Sequence, residues 1–413
     1  MPEAYLIASH HTAFARHPTL DHAALAAAAW HGLAEATSLG PLVDRIYFGS
    51  CAMHLYGQAN IRGQVALGAL QRGGKLSGTA PIVNIEGACA TGGLAFQSAV
   101  EAVRGGGAEL ALAIGVEKTF HPEPQKILEL FSGGIDQLHP EAWRAFYEAA
   151  AAEMGGTFAP HPHRIIFLDV AALQAHWHQR TYGSTDAQLA MIASKNHAHG
   201  ARNDKAQYRQ EMSVEQILAD KPALLPLRRS MCAPISDGAA AVLVCGEAAL
   251  GRVSNSVQKR AVRVASVASA GGRWRALAEE SVSARAARTA LRVAGRSIGE
   301  MSLIELHDAT AFAELHAYED LGLCAKGAGG TLAESGETKL GGRFPINVSG
   351  GLESKGHPLA ATGLAMITEL HTQLLGEAGA RQVEGATRGL FHNAGGQIGF
   401  DEALAVVGVL ERS

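Results

Sequence analysis

The sequence lacks paired cysteines, a long apolar run and an excess of basic residues, and each absence argues against a class of protein. Its five cysteines are an odd number without paired spacing, which disfavours a disulfide framework or a zinc site and fits reduced thiols in the cytoplasm. No apolar stretch is long enough to cross a bilayer, and the start has no basic segment typical of a signal peptide. A formal net charge of −4 disfavours nucleic acid as a ligand, because binding phosphates requires a basic surface.

The composition that remains is typical of a soluble α/β protein. Hydrophobic residues make up 47% and charged residues 18% of the 413 positions, and the 48 glycines favour tight turns and close helix–sheet contacts. Apolar strands alternate with alanine-rich helices, which predicts parallel strand pairing through right-handed crossovers. The length allows two domains or one large pseudo-symmetric unit.

The order of the predicted elements indicates two similar α/β halves with an insertion. We expect the first half to span 1–116 and to resume over 228–250, and the second half to span 251–413. Residues 117–227 are richer in histidine, glutamine, aromatic and charged side chains, so we expect a mostly helical lobe that shapes substrate access. Periodicity predicts strands over 5–9, 45–49, 82–85, 110–115, 239–245, 261–269, 302–306, 344–348, 389–392 and 403–409, and helices over 22–36, 91–103, 279–293, 311–321 and 359–374.

Two widely separated segments, 84–93 and 347–363, are built in the same way. Each starts with asparagine after an apolar run, passes through a glycine-rich turn and opens an alanine-rich helix that begins Ala-Thr-Gly. The first turn carries Cys89 and the second carries His357. A thiol and an imidazole at matching places in two similar halves predict a Cys/His active site where those halves meet.

Cys89 lies at the junction of an apolar strand and a helix start. Backbone N–H groups and the helix dipole favour negative charge there, so this placement predicts a lowered thiol pKa and an exposed sulfur. The alternative is an inert, buried cysteine that acts as a small hydrophobic residue. His357 favours the nucleophile, because a thiol that accepts an acyl group needs a nearby base.

His357 lies between Gly356 and Pro358, and this pair restricts the backbone and directs one side chain. The alternative is an ordinary histidine in a surface turn. The neighbouring Lys355 is assigned no role.

His307 and Asp308 follow an apolar run at the predicted C-terminal end of a strand, where α/β sheets place functional groups. His307 is a candidate donor of a hydrogen bond to a thioester carbonyl oxygen, which stabilises an oxyanion or an enolate. Asp308 suits the N-cap of the predicted helix 311–321. Both roles are compatible, with Asp308 structural and His307 functional.

A third glycine turn, His392-Asn393-Ala394-Gly395-Gly396, follows a predicted strand. We expect this region, including Asn393 and Gly395, to supply backbone N–H donors that face Cys89. His392 is a candidate acid, base or orienting group; the alternative is a histidine that is only hydrogen-bonded at a strand end.

The segment from Lys195 to Gly200 alternates histidines, which raises the question of a metal site. Metal-binding histidines need further ligands and a supporting shell, and no partner motif is evident, so we predict no metal there. We expect instead a loop that binds a phosphorylated carrier through Lys195, His197 and Arg202.

Together these motifs resemble the thiolase superfamily over nearly the whole chain. The resemblance rests on the cysteine before a helix, Gly-His-Pro after Asn-x-x-Gly-Gly, Asp-Gly-Ala-Ala-Ala at 237–241 and the glycine-rich C-terminal turn. The sequence is most similar to the sterol-carrier-protein-type and archaeal-type thiolases. These carry His-Asp, as in His307-Asp308, where other thiolases carry Asn-Glu, and His-Asn, as in His392-Asn393, in the last turn.

The resemblance implies a fold and a reaction. The fold is two similar βαβ halves stacked as a five-layer αβαβα sandwich with an inserted loop domain. The reaction is acyl transfer on coenzyme A thioesters, forming or cleaving a 3-oxoacyl-CoA, with no covalently bound cofactor. By analogy Cys89 takes the acyl group after His357 removes its proton, and His307 with backbone N–H groups near Cys89 and Gly395 polarises the two carbonyls.

The sequence departs from the family at the second acid/base. Other thiolases use a second cysteine for proton transfer at the substrate α-carbon, but this chain has His392-Asn393 in the matching turn. Some sterol-carrier-type relatives place a cysteine after His-Asp, where this chain has Ala309. The candidates are therefore His392, or His357 acting twice.

The resemblance also implies partners and leaves alternatives open. It implies a homodimer or a dimer of dimers, and several relatives work with a small protein that contains an OB-fold and a zinc ribbon. One alternative is an acyltransferase of natural-product synthesis, or a retro-aldolase subunit; His357 counts against the aldolase, in which tyrosine commonly replaces this imidazole. The other is a non-catalytic acyl-CoA-binding scaffold, against which the retention of Cys89, His307 and His357 weighs.

Overall fold

The computed structural model describes residues 2–35 and 37–412. Strands β1 to β11 are Ala4–His11, Arg45–Gly49, Ile82–Ile85, Leu110–Glu117, Pro222–Leu224, Leu227–Arg228, Gly238–Gly246, Val262–Gly271, Leu303–Glu305, Arg388–Gly395 and Leu404–Glu411. Helices α1 to α15 are His22–Ala34, Arg62–Arg72, Thr91–Arg104, Pro124–Ser132, Pro140–Glu153, Ile166–Tyr182, Asp186–Gly200, Val214–Ala219, Glu247–Leu250, Asn255–Gln258, Val282–Ala294, Ala311–Asp320, Gly329–Ser335, Gly351–Lys355 and Leu359–Leu375.

Two sheets form the framework. The first has the order β3-β2-β4-β7-β1 and the second has the order β8-β11-β10-β9. They are joined edge to edge where Tyr5 and Leu6 of β1 pair with Arg263 and Val262 of β8. Parallel pairing is confined to β2 with β3, β2 with β4 and β9 with β10 among the described strands, whereas the returning strands pair antiparallel. The sheets are therefore mixed, because β7 runs antiparallel to the other strands of the first sheet and β11 runs antiparallel to those of the second.

Helices α3 and α15 lie between the two sheets, and they contact strands of both. Helices α1 and α2 cover the outer face of the first sheet, while α11 covers the outer face of the second. The layers are helix, sheet, helix, sheet and helix, which confirms the predicted five-layer sandwich. The segment between β4 and β7 carries α4 to α8 and the β5–β6 hairpin.

The two central helices cross at the glycines of the repeated Ala-Thr-Gly motif. A Cβ atom added to Gly92 would lie 2.8 Å from the carbonyl oxygen of Ala360, and one added to Gly363 would lie 2.5 Å from the backbone nitrogen of Gly93. Side chains at this crossing would force the helices apart, since such separations are shorter than any normal contact. The matched glycines therefore bring the N-termini of α3 and α15, with the turns that precede them, side by side.

Three sequence predictions differ from the structure. The strand over 344–348 is wrong, because only Ile346 makes a bridge, to Ile304, before Asn347 enters the left-handed region at φ 53°. Helix α1 ends at Ala34, and Ala36, which closed the predicted helix, lies outside the described residues. Helices α2, α9, α10, α13 and α14 were not predicted. No helix of the described chain is both long and apolar enough to cross a membrane.

Candidate active site

Cys89, His307 and His357 converge at one point between the two halves. The Sγ of Cys89 and one ring nitrogen of each histidine all lie within 4.8 Å of one another. The imidazole rings of His307 and His357 meet edge to face, with centroids 5.1 Å apart. The three side chains open into a cavity of about 1210 Å³ that is walled partly by α4, α6 and the residues that follow α7. The thiol thus retains a path to solvent.

A short 3₁₀ turn, Ala88–Ala90, holds Cys89 at the entrance to α3. Ala88 adopts φ 49°, in the left-handed region. The Thr91 hydroxyl accepts the backbone N–H of Gly87 at 2.9 Å and donates to the carbonyl of Ala88 at 2.7 Å. These bonds close the turn within five residues and direct the thiol away from the helix and toward the cavity.

The predicted lowering of the Cys89 pKa is wrong. Burial raises the pKa of this thiol to about 12, and the nearby Glu117 carboxylate acts in the same direction. The desolvation penalty on a thiolate outweighs the favourable field of the helix N-terminus. The resting side chain is therefore a neutral thiol, and a base is needed to activate it.

Glu117 is a buried residue that the sequence reading missed. Its carboxylate accepts the backbone N–H groups of Cys51 at 2.9 Å, Ala52 at 2.7 Å and Ala360 at 3.2 Å. It thereby ties the loop after β2 to the start of α15, although burial raises the pKa of this carboxyl. A glutamate that ends the apolar strand Leu110–Glu117 was the available signal, because a buried charge requires partners.

The backbone around His357 is held firmly on both sides. Gly356 has φ 110°, and a Cβ atom there would lie 2.6 Å from Ser236 Oγ. The same hydroxyl accepts the His357 N–H at 3.0 Å. Glycine is thus required at 356, and the imidazole projects from a rigid turn at the N-terminus of α15.

Thr362 sets the tautomer of His357. Its Oγ1 lies 2.8 Å from Nδ1 of His357 and donates to the carbonyl oxygen of Pro358 at 3.0 Å. Because the single hydroxyl proton is used on Pro358, both contacts are satisfied only when His357 carries its proton on Nδ1. Burial lowers the pKa of His357 to about 3, so the ring is neutral with a free Nε2 lone pair.

His307 has the opposite tautomer. The Asn393 amide Nδ2 lies 3.4 Å from Nδ1 of His307 and has only protons to offer, so Nδ1 accepts and Nε2 carries the hydrogen. Burial, followed by the neighbouring His357 and His392 rings, lowers the pKa of His307 well below its usual value. One histidine therefore has a free hydrogen-bond donor on Nε2 and the other a free acceptor on Nε2, and both rings lie beside the same sulfur.

Asn393 acts through its side chain. Its Nδ2 donates to the carbonyl of Cys89 at 2.9 Å, and its Oδ1 accepts the N–H of Gly93 at 3.0 Å. Gly395 packs beside it against the same turn, where a Cβ atom would lie 2.5 Å from the Cys89 backbone nitrogen. The turn predicted at 392–396 is wrong up to Gly395, because these residues continue strand β10 by pairing with β11. The structure thus places the end of β10 directly against the cysteine turn.

His392 lies behind His307. Its Nε2 lies 2.7 Å from the Ser283 hydroxyl, and its Nδ1 accepts the backbone N–H of His307 at 3.4 Å. Both ring nitrogens are therefore engaged. Burial lowers the pKa of His392 to about 4, so it is neutral at physiological pH.

Asp308 does not cap the helix that follows it in sequence. Thr310, which directly precedes α12, is the N-cap and accepts the N–H of Ala313. The Asp308 carboxylate instead accepts the N–H groups of Leu352 at 2.8 Å and Glu353 at 3.3 Å at the start of α14. It therefore fixes the turn that leads to His357.

The residues predicted to bind the phosphorylated carrier are separated by the structure. They lie at the end of α7 and just after it, and the segment from Lys195 is helical where a loop was predicted. The Lys195 ammonium is buried in an ion pair with Glu314, and Arg202 is exposed outside the cavity wall. Only His197 lines the cavity, with its Nε2 at 3.0 Å from the carbonyl of Ser230.

Three buried carboxylates beside Lys195 surround an amide. Asn196 Nδ2 lies 3.1 Å from Asp308, 2.8 Å from Glu314 and 3.0 Å from Glu353. The amide nitrogen thus occupies the centre at which a cation would bind. Burial, followed by the mutual repulsion of these carboxylates, raises the pKa values of Asp308 and Glu353 well above their usual range, so protonation relieves the charge.

The comparisons with known proteins identify the family. The model described as "Thiolase, N-terminal domain" matches residues 5–221, and the one described as "Thiolase C-terminal domain-like" matches residues 264–408. The chain belongs to the thiolase family. This confirms the superfamily predicted from the two glycine turns.

Individual relatives agree with that assignment. The acetyl-CoA acetyltransferase of Methanothermobacter thermautotrophicus is 38% identical over 320 residues, covering 76% of this chain and 77% of the relative. Benzoylsuccinyl-CoA thiolase subunit BbsB of Thauera aromatica is 32% identical over 78% of each chain. Rat sterol carrier protein 2 is 36% identical over 76% of this chain, which spans 56% of its length. This protein is therefore a thiolase-type acyltransferase.

A solved structure supports the fold alone. The "Ltp2-ChsH2(DUF35) aldolase" superimposes with a TM-score of 0.76 over 99% of this chain and 97% of that chain, at 19% identity. At this identity the likeness establishes the architecture of the sandwich and not the reaction.

Proposed function

We propose that this thiolase-type acyltransferase forms or cleaves a 3-oxoacyl-CoA through a covalent thioester on Cys89. The observation that carries the proposal is the pair of complementary tautomers around one sulfur. His357 offers an Nε2 lone pair and His307 offers an Nε2–H, and one ring nitrogen of each histidine lies within 4.8 Å of the thiol. Acyl transfer through a thiol requires these two functions, a base and an electrophilic donor.

Acylation begins with proton transfer from the Cys89 Sγ to Nε2 of His357 as the sulfur attacks the thioester carbonyl. The carbonyl oxygen becomes negatively charged and is stabilised by the backbone N–H groups beside Cys89 and Gly395. The tetrahedral intermediate then expels the coenzyme A thiolate, which takes the proton back from the imidazolium. Because the Cys89 pKa is about 12, ionisation accompanies substrate binding and does not precede it.

Condensation uses the same imidazole a second time. His357 removes a proton from the α-carbon of a second acyl-CoA, while His307 Nε2–H stabilises the resulting enolate oxygen. The enolate carbon attacks the acyl group, and the Cys89 sulfur leaves with the proton. We assign both proton transfers to His357 because each ring nitrogen of His392 is already engaged, with Ser283 and with the His307 backbone.

The coenzyme A phosphates are proposed to bind near Arg209 and Arg229, in place of Lys195 and Arg202. Both arginines are exposed and both line the cavity. Guanidinium groups bind phosphate through two parallel hydrogen bonds. Lys195 is unsuitable, because a ligand would have to break its buried pair with Glu314.

We propose that the protein is a homodimer that pairs through β3. This strand is the edge of the first sheet and carries the exposed Val83, and the neighbouring Ile61 and Val65 are also exposed. An open edge strand with apolar side chains is a template for pairing with another chain. The strand leads directly into the Cys89 turn, so dimerisation would stabilise the position of Cys89.

A small OB-fold and zinc-ribbon protein remains a proposed partner, and the name of the structural neighbour pairs Ltp2 with ChsH2(DUF35). The test is turnover of an acyl-CoA panel with and without a co-encoded protein of that kind. A cytoplasmic location stays a prediction; all five cysteines are free in the structure.

The deciding experiment is intact-mass analysis after incubation with acetyl-CoA. The native protein is expected to gain one acyl group, and Cys89→Ser is expected to lose rapid labelling. Cys324→Ser is the matched control, since Cys324 is a partly buried thiol outside the cavity wall. Absence of any adduct on the native protein would favour a non-catalytic acyl-CoA-binding scaffold, and equal labelling of Cys89→Ser would exclude the acyl-Cys89 mechanism.

A further inference from the structure

One wall of the active-site cavity is polar and has no part in the chemistry proposed above. It consists of Ser283 at the start of α11, His316 and Asp320 on α12, and Glu402 just before β11; we call it the polar wall. Ionisable groups are costly to place in a cavity that receives a purely apolar chain, because burial disfavours their charged forms. A group of this wall that has no partner in the protein therefore indicates a polar group on the ligand.

The polar wall is connected to the catalytic histidines. The Ser283 hydroxyl lies 2.7 Å from Nε2 of His392, which in turn accepts the His307 N–H at 3.4 Å. Asp320 acts electrostatically on both His392 and Glu402, which places these groups within range of one another. A ligand group at this wall is thus carried by the molecule that reacts at Cys89.

Asp320 is the ionised member of the polar wall. Its carboxylate accepts the Ser281 hydroxyl at 2.6 Å and the Lys326 ammonium at 2.6 Å, and lies 3.6 Å from Nδ1 of His316. Burial acts to raise the pKa of Asp320, but these partners together hold it below its usual range. The group is therefore ionised, and Lys326 balances its charge.

Glu402 is the group that remains available to a ligand. The carboxylate of its neighbour Asp401 is already hydrogen-bonded within the protein. It accepts Nε–H of Arg275 at 2.8 Å and the backbone N–H of Val282 at 2.7 Å. Glu402 instead lines the cavity. Burial, followed by the charges of Asp401 and Asp320, raises the pKa of Glu402 to about 7. Near neutral pH this carboxyl both donates and accepts hydrogen bonds.

The rest of the cavity suits an apolar body. Aromatic and aliphatic side chains of the lobe and of α12 line it, among them Phe131, Phe167, Leu168 and Phe312. The volume of about 1210 Å³ includes the region of Arg209 and Arg229, and it extends from there to Cys89 and the polar wall. The transferred acyl group is therefore apolar where it meets these side chains as well as polar at one position.

We propose that the polar wall selects an acyl group that is apolar for most of its length and bears a neutral hydroxyl, which hydrogen-bonds to Glu402. This inference rests on the acyl-transfer function proposed above and adds the class of acyl group. A carboxylate on the ligand has no proton to give to Asp320 or Glu402, while a hydroxyl donates to either carboxyl and accepts from the protonated Glu402.

The test compares three coenzyme A thioesters of equal length that differ in one substituent. They are the 3-phenylpropanoyl, 3-(4-hydroxyphenyl)propanoyl and 3-(4-carboxyphenyl)propanoyl thioesters, and the readout is the rate of acylation of the native protein by intact mass. We expect the hydroxylated thioester to react about tenfold faster than the unsubstituted one, and the carboxylated one to react slowest. In Glu402→Leu the preference for the hydroxyl should disappear or reverse. Glu384→Leu, at an exposed site outside the cavity, should keep the native preference.

The outcomes separate this inference from the function on which it rests. Equal rates for the hydroxylated and unsubstituted thioesters, or a preference that survives in Glu402→Leu, would overturn the inference alone. The same holds if acetyl-CoA acylates the protein and none of the aromatic thioesters does. If no thioester, including acetyl-CoA, acylates the native protein, the proposed function itself fails. A melting curve for each variant establishes that it is folded.

Discussion

The Thr362 hydroxyl lies 2.8 Å from Nδ1 of His357 and gives its own proton to the carbonyl of Pro358. This contact places the His357 proton on Nδ1 and leaves the Nε2 lone pair free. The matching Thr91 makes a similar backward bond, to Ala88, in the other half. The repeated Ala-Thr-Gly motif therefore orients His357 in one half and the Cys89 turn in the other.

Replacing Thr362 tests this positioning role. Thr362→Val keeps the shape but removes the acceptor for Nδ1–H, so we expect kcat to fall about tenfold with KM nearly unchanged. Thr362→Ser should restore activity. Thr372→Val removes a similar backward bond, to Thr368, further along α15 and should leave activity unchanged. If Thr362→Ser, which keeps the hydroxyl and loses only the methyl group, lowers kcat as much as Thr362→Val does, the effect is one of packing.

The pH dependence of alkylation tests the state of Cys89. With a pKa of about 12, only ~10⁻⁵ of this thiol is ionised at pH 7. Because the thiolate fraction grows tenfold per pH unit below the pKa, the rate of reaction with iodoacetamide should still be rising at pH 10. His357, with a pKa of about 3, should add no inflection near pH 6.5. A plateau below pH 9 would contradict this prediction, and the unfolded protein, with ordinary cysteines, supplies the reference curve.

Asn393→Asp tests the hydrogen bonds by which Asn393 holds the cysteine turn in place. The new carboxylate cannot donate to the Cys89 carbonyl, and it favours a proton on His307 Nδ1, so we expect turnover to fall by 10- to 100-fold. A new inflection should also appear in the pH–rate profile, since a nearby anion raises the His307 pKa.

The matched control for that variant is Asn203→Asp. Asn203 is also buried, donates to the carbonyl of Ser349 at 2.8 Å and accepts the N–H of Lys205 at 3.1 Å. It should lose stability without gaining the inflection. An identical pH–rate profile for the two variants would exclude the positioning role of Asn393.

The helix crossing is tested by Gly363→Ala. The added methyl group would lie 2.2 Å from Asn393 Oδ1, so α3 and α15 must separate, and we expect a loss of about 1–3 kcal/mol in the free energy of unfolding. Gly68→Ala in α2 is the control, because the nearest atoms there belong to the flexible end of Arg72. It should be neutral or stabilising by about 0.5–1 kcal/mol. Denaturant midpoints measure both, and equal effects would refute the close crossing.

The proposed dimer is tested by Val83→Lys. A charge on the edge strand β3 should shift the protein toward monomer in size-exclusion chromatography with light scattering, because two lysines would face each other across the strand pair. Val293→Lys is the control, since Val83 and Val293 are both 38% exposed and Val293 lies on the outer helix α11. A dimer that survives the first substitution, or a native monomer, would rule out pairing through β3.

Local sequence determined much of the fold and the identity of the central pair. Strands Arg45–Gly49 and Ile82–Ile85 have the predicted bounds, because glycine or charged residues mark where each apolar run ends. The two similar glycine turns predicted that Cys89 and His357 would meet, and the thiol and imidazole do converge. Glycine beside Cys89 or His357 was enough to predict a tight turn at each position, since glycine adopts backbone conformations that other residues rarely do.

Only the tertiary structure decided the state and partners of those side chains. The Cys89 pKa depends on desolvation by distant segments, and the His307 tautomer depends on Asn393. Asp308 accepts an N–H group at the start of α14 instead of capping α12, the helix that follows it in sequence. A few adjacent residues determine the conformation of a turn, whereas the burial and the hydrogen-bond partners of its side chains depend on residues hundreds of positions away. The sequence therefore predicted which side chains meet, and the packing of the two halves determined which ring nitrogens carry a proton.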